Sequence, residues 1–85
     1  MNQVHLTVLA REDLAYWRRR APARARQLLC LLRRLRDGLP IPPQRISRLP
    51  LRVAALYALR LDAEHYLVVE RLAGCIVVHQ CRFHY

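Results

Sequence analysis

Fifteen arginines and no lysine set the chemistry open to this 85-residue chain. Arginine presents a fixed fork of N–H donors that fits a phosphate, yet it keeps its proton, so it can hold an anion but cannot act as a base. Without lysine, Schiff-base chemistry, a lysine base and a phosphate-loop lysine are excluded. Proton exchange near neutral pH falls to His5, His65, His79 and His84. These are too scattered to make the three- or four-ligand set that zinc needs. Cys75 and Cys81, on one predicted strand, would stand about 20 Å apart and could neither chelate one ion nor bridge each other. No metal and no other cofactor is therefore expected. Gly38 and Gly74 are the only glycines, which rules out G-x-G-x-x-G and G-x-S-x-G motifs.

Six acidic residues leave a net charge of +9, a balance that predicts a polyanionic partner. Apolar side chains make up 54% of the chain, too many for a disordered basic tail, so residues 1–85 should form one domain with one modest core. The three cysteines, an odd number in no disulfide-like spacing, fit a reducing compartment. Met1-Asn2-Gln3-Val4-His5 has neither the basic start nor the long apolar stretch of a signal peptide. The longest uncharged apolar run, residues 53–59, falls far short of the roughly 20 residues that span a bilayer. The expectation is a cytoplasmic protein without membrane contact.

The elements that must carry these residues follow from periodicity. Alternation and two valines predict a strand over residues 4–8. Leu14, Tyr16 and Trp17 recur at helical spacing over residues 10–20, behind Glu12 and Asp13, whose charges suit a helix N-terminus. Pro22 suits the first turn of a second helix, Leu28, Leu31, Leu32 and Leu35 form its apolar stripe, and Gly38 is a left-handed stop. Pro40, Pro42, Pro43 and Pro50, with Arg45 and Arg48 among them, predict a basic loop. Residues 53–61, 66–71 and 75–83 read as strands joined by turns at Asp62-Ala63-Glu64 and Ala73-Gly74, an antiparallel meander. The fold class is α+β: an N-terminal strand, two helices, then three strands, with the helices packed on one sheet face.

Alternation also assigns faces. Arg60 lies opposite Tyr57, Leu59 and Leu61 and so points into a polar groove. In the last strand Ile76, Val78, Gln80, Arg82 and His84 share one side, and Cys75, Val77, His79, Cys81 and Phe83 share the other. His5 and His79 read as packed or surface residues, His65 as a turn residue, and Tyr16 and Trp17 as core or interface aromatics. The helical arginines, among them Arg24, Arg26 and Arg33, have no acidic neighbour in sequence between Asp13 and Asp37, which predicts an acidic docking partner.

These residues carry a resemblance. The ending Cys81-Arg82-Phe83-His84-Tyr85 is similar to the C-terminal signature of the YoeB branch of the RelE-type toxins of bacterial toxin–antitoxin systems. Glu12-Asp13, Tyr16-Trp17, the basic second helix, the Pro-rich loop, Arg60 and Glu64-His65 match in the same order, without a gap. The resemblance implies a microbial ribonuclease-like fold that enters the ribosomal A site and cuts mRNA, using the RNA's own 2′-hydroxyl as nucleophile. It implies His84 as general acid, Arg60 on the phosphate and Tyr85 beside them; from the chain's own pattern, Arg82 and the loop residues Arg45 and Arg48 are expected beside Arg60 near that phosphate, and Tyr66 and Tyr85 are expected to stack on the RNA bases. It also implies a cognate acidic antitoxin, the ribosome and mRNA as partners, and leaves room for a homodimer.

Two positions depart from the family pattern. Ser47 stands where the ungapped match places the candidate base, a loop glutamate, and Tyr66 stands where it places an active-site arginine. Loss of a general base typically costs about 10²- to 10⁴-fold and loss of one electrostatic donor about 10²- to 10³-fold, so the departures predict reduced cleavage. Arg45 and Arg48 could restore charge around Ser47, and Glu64 is the acidic residue nearest the strand of Tyr66. The alternative reading is a catalytically degenerate protein that binds ribosome, RNA or antitoxin without cutting.

Overall fold

A computed structural model describes residues 2–49 and 55–82. Strand β1 (Gln3–Leu6) leads into helices α1 (Val8–Arg20) and α2 (Pro22–Asp37), and a single 3-10 turn (Pro43–Arg45) precedes β2 (Ile46–Arg48), β3 (Leu56–Arg60), β4 (Tyr66–Leu72) and β5 (Cys75–Gln80). The five strands form one sheet in the order β1-β5-β4-β3-β2, antiparallel except for the β1–β5 pair. The predicted α+β order is present, and the core lies between the helices and one sheet face. Leu28 of α2 and Leu59, Leu67, Val69 and Val78 of the sheet belong to this core, all buried. Burying each such side chain stabilises the fold by about 1.5–3 kcal/mol, which decides which way every strand faces.

Several boundaries differ from the sequence reading. β1 stops at Leu6 because Thr7 caps α1: its Oγ1 accepts the Ala10 N–H at 3.2 Å and donates to the His79 carbonyl at 2.9 Å. Helix α1 therefore starts earlier than predicted, and Glu12 and Asp13 fall beyond its first turn. Their charges do not serve the helix N-terminus, and Asp13 is buried. Pro22 opens α2 and Gly38 closes it at φ +70°, as read.

The proline-flanked loop holds the short edge strand β2, which the sequence reading missed. Prolines up to position 43 exclude a central strand, but three residues on an edge need a partner on one side only. The predicted last strand ends at Gln80, and its alternation breaks earlier. Val69 pairs with Val78 and Val68 with Gln80, leaving His79 as an extra residue on β5, a β-bulge. The bulge turns Gln80 to the helix-free face and sends Cys81 into the core, fully buried, opposite to the predicted assignment. Phe83, His84 and Tyr85, and residues 53–54 of the predicted second strand, lie outside the described residues.

Candidate nucleic-acid interface

One sheet face carries no helix. With Tyr57, Leu59, Leu67 and Val69 turned to the core, the residues alternating with them face the other way. Arg60 and Tyr66 are direct cross-strand partners, and Ser47 pairs with Ala58, two residues before Arg60. Diagonal neighbours of this kind stand about 7–8 Å apart. Arg60 and Ser47 are exposed and Tyr66 is half-buried. The three positions that the ungapped match gives an active-site part thus come together on one open face.

Helix α1 grips the chain just before its end. Asp13 Oδ2 accepts the Cys81 N–H at 3.0 Å, Trp17 Nε1 donates to the Cys81 carbonyl at 2.8 Å, and the Cys81 thiol donates to the Ala10 carbonyl at 3.4 Å. Both backbone groups and the side chain of one buried residue are satisfied by one helix, as a buried bend requires. Burial, and then the Asp13 charge, push the Cys81 thiol up to about 12. Trp17, predicted as a core or interface aromatic, is buried, with its ring edge-on to Tyr16 and His65.

The arginines divide by what they touch. Arg82, expected beside Arg60, sits on the helix side instead. Its guanidinium lies 4.1 Å from the Tyr16 ring centroid, and its Nε lies 3.6 Å from Asp13 Oδ1. Arg24, expected on the docking surface, spends its donors inside the fold: on Asp62 Oδ2 at 2.6 Å, and on the Leu61 carbonyl and Gln27 at 3.0 Å each. The acidic partner missing from its own helix comes from the β3–β4 turn. Asp62 also accepts the N–H groups of Glu64 and His65, at 2.8 Å each. Its carboxyl is held below the usual range, first by the Glu64 N–H and, against the opposing pull of burial, by the His65 N–H and Arg24. Glu64 itself is exposed in that turn.

Arg45 and Arg48 do not surround Ser47. Arg45 lines a cavity of about 400 Å³ on the helix side with Gln27, Cys30, Leu31, Arg34 and Pro42. Arg48 pairs with Tyr57 and so falls on the core-side edge. Arg26 and Arg33 are exposed on α2, and Arg33 borders a groove with Val4, Leu6, Leu29, Leu32 and Arg36. The catalytic expectations for His84 and Tyr85 concern residues outside those described.

The open face holds one pair the sequence reading did not find. His79 Nε2 lies 2.9 Å from Glu70 Oε1, with the two side chains 41% and 24% exposed. The signal was in the β4–β5 turn: with Leu72 opposite Cys75, counting back puts Glu70 opposite Val77, diagonal to His79. Among the described residues no three His, Cys, Asp or Glu side chains could hold a metal ion, and no helix is long and apolar enough to cross a membrane.

No protein-family model and no curated relative matches the sequence. Solved structures do. A YoeB/ParE toxin from Agrobacterium tumefaciens is 26% identical with a TM-score of 0.78, the alignment covering 98% of this chain and 99% of that one. The YoeB dimer from Staphylococcus aureus is 22% identical with a TM-score of 0.81, covering 99% and 98%. The YoeB-YefM complex from the same organism is 21% identical with a TM-score of 0.80, covering 100% and 99%. From end to end, this chain resembles the YoeB toxins and has their fold.

Proposed function

We propose that this chain is the toxin of a toxin–antitoxin pair, a metal-independent endoribonuclease that cuts mRNA on the ribosome and so stops translation. The observation that supports the reading is the open sheet face, where the positions of Ser47, Arg60 and Tyr66 meet and Arg60 keeps the family's residue, together with the α1 grip on Cys81, three residues before His84. Arg60 neutralises the phosphate, where a permanent charge with paired donors suits the crowded transition state. His84 protonates the leaving 5′ oxygen, a role that its ordinary pKa near 6.5 permits at neutral pH. Tyr66 and Tyr85 offer ring faces on which bases stack without sequence preference.

The partners follow from charge and likeness. A net +9 suits ribosomal RNA and an acidic antitoxin that folds over the helical arginines. The Staphylococcus aureus YoeB structures, one a complex with YefM and one a dimer, support an antitoxin and a homodimer here. Primer extension on mRNA from cells expressing the protein should reveal new cuts, and His84→Gln should remove both the cuts and the growth arrest. Arrest that persists unchanged in His84→Gln refutes the assignment of the acid. A second reading, a binder that does not cut, draws on Ser47 and Tyr66, which bring neither a carboxylate nor a positive charge to the open face. Growth arrest without new cuts selects it.

A further inference from the structure

The open face lacks a base at Ser47, yet it holds a carboxylate–imidazole pair one strand over. We propose that His79, held by Glu70, is the general base of the cleavage reaction, an assignment that rests on the endoribonuclease reading. Three observations carry it. Glu70 on β4 and His79 on β5 lie on the helix-free face, where Val77, the partner of Glu70, and Val68, the partner of Gln80, also lie. The 2.9 Å contact fixes the tautomer: an ionised carboxylate only accepts, so Nε2 carries the hydrogen and Nδ1 keeps the lone pair that can take a proton. The bulge sets His79 outside the regular ladder, and its carbonyl is tied to Thr7 Oγ1 at 2.9 Å, so the backbone that aims the ring is pinned.

Strand spacing of about 4.8 Å and a rise of about 3.4 Å per residue put the His79 Cα about 10 Å from that of Tyr66 and about 13 Å from that of Arg60. In the reaction, the 2′ oxygen attacks phosphorus while its proton passes to His79 Nδ1. The bond from phosphorus to the 5′ oxygen breaks, and that oxygen takes a proton from His84. The products are a 2′,3′-cyclic phosphate and a 5′-hydroxyl. Glu70 stays ionised and balances the imidazolium. Among the described residues, the charged and titratable groups that share the face with His79 are Glu70 and Tyr66 on β4, Arg60 on β3, Cys75 on β5 and His5 on β1.

The test is single-turnover cleavage by the full chain on programmed ribosomes across pH 5.5–9, with thermal melts confirming that each variant is folded. His79→Gln should lower the rate by about 10²- to 10⁴-fold and remove the acidic limb of the pH profile. Glu70→Gln should keep more activity and move that limb to lower pH, since loss of the neighbouring negative charge disfavours the imidazolium. If the wild-type protein cuts and His79→Gln cuts within threefold of it with the limb intact, the assignment of the base is overturned while the endoribonuclease reading stands. If the wild-type protein leaves mRNA whole, both fall.

Discussion

Asp13 offers the sharpest test of how the fold presents its C-terminal end. Its carboxylate is 1% exposed, accepts the Cys81 N–H at 3.0 Å and faces Arg82 Nε at 3.6 Å. In Asp13→Ala the buried Cys81 donor loses this acceptor, at a cost of about 1–3 kcal/mol. Loss of the Arg82 pair adds only about 0–1 kcal/mol, because the Arg82 side chain is 34% exposed and water replaces part of the attraction. The expected total is about 1–4 kcal/mol, and at about 4–8 °C per kcal/mol for a domain of this size the midpoint should fall by at least about 4 °C. Asp13→Asn keeps the volume and a carbonyl for Cys81 but turns an amide toward a cation, so roughly 1–2 kcal/mol is expected. The assay is urea unfolding followed by the fluorescence of Trp17, the only tryptophan, whose indole donates to the same Cys81. A loss below about 0.5 kcal/mol for Asp13→Ala would show that the α1 grip on Cys81 does not hold the fold, and the reasoning fails.

Four further outcomes are expected. Cys30 is exposed and Cys81 buried, so iodoacetamide at pH 8 should label Cys30 promptly and Cys81 only on unfolding. The Cys81 thiol is raised from 9.0 to about 12 in the folded state, so its contribution to stability is complete below about pH 9 and drains away as pH rises through 12. Cys81→Ala should flatten that alkaline slope in urea midpoints, and an unchanged slope would assign it elsewhere. Asp62 shifts the opposite way, so its contribution is present above the ordinary carboxylate range and is lost as pH falls through its lowered value. Asp62→Asn should shrink the acid-side loss of stability, measured by melts between pH 2 and 6. On the proposed function, charge reversal of Arg26 and Arg33 together should weaken ribosome association and flatten its dependence on salt concentration, in a sedimentation assay, while leaving the melting temperature within a few degrees.

The sequence made the helices legible because their signals are local: Pro22 at one end of α2, Gly38 at the other, and leucines at helical spacing between them. The meander was legible for the same reason, since the Ala73-Gly74 turn aligns β4 with β5 by counting. Three features were hidden because they are settled by partners distant in the chain. Strand β2 exists only because β3 offers an edge to three residues that propensity assigns to a loop. The bulge at His79 is a choice of the β4–β5 register, and it alone reverses the faces of Gln80 and Cys81. Arg24 and Arg82 look like surface charge until Asp62 and Asp13 reach them from 38 and 69 residues away in sequence. Arg60 stayed readable because the leucines on either side of it fix its face.

The positive charge is therefore organised by the sheet rather than spread evenly over the chain. Arg24 and Arg82 serve the fold, and Arg26 and Arg33 are exposed on α2. The registers turn Arg48 and Arg71 to the core side, opposite Tyr57 and Ile76, so among the described residues Arg60 is the one arginine the ladder sets on the open face. A face that held many arginines would grip a polyanion wherever it landed; a face with one, next to Tyr66 and within a strand or two of His79 and Glu70, discriminates by position. On the proposed function, docking and chemistry are then separate demands met by separate surfaces. The helices can supply affinity through many weakly placed charges, each replaceable, while the open face depends on a few groups whose register cannot slip by one residue without turning every one of them into the core. The bulge and the α1 grip both act at β5 and its exit, the segment where such a slip would do most damage.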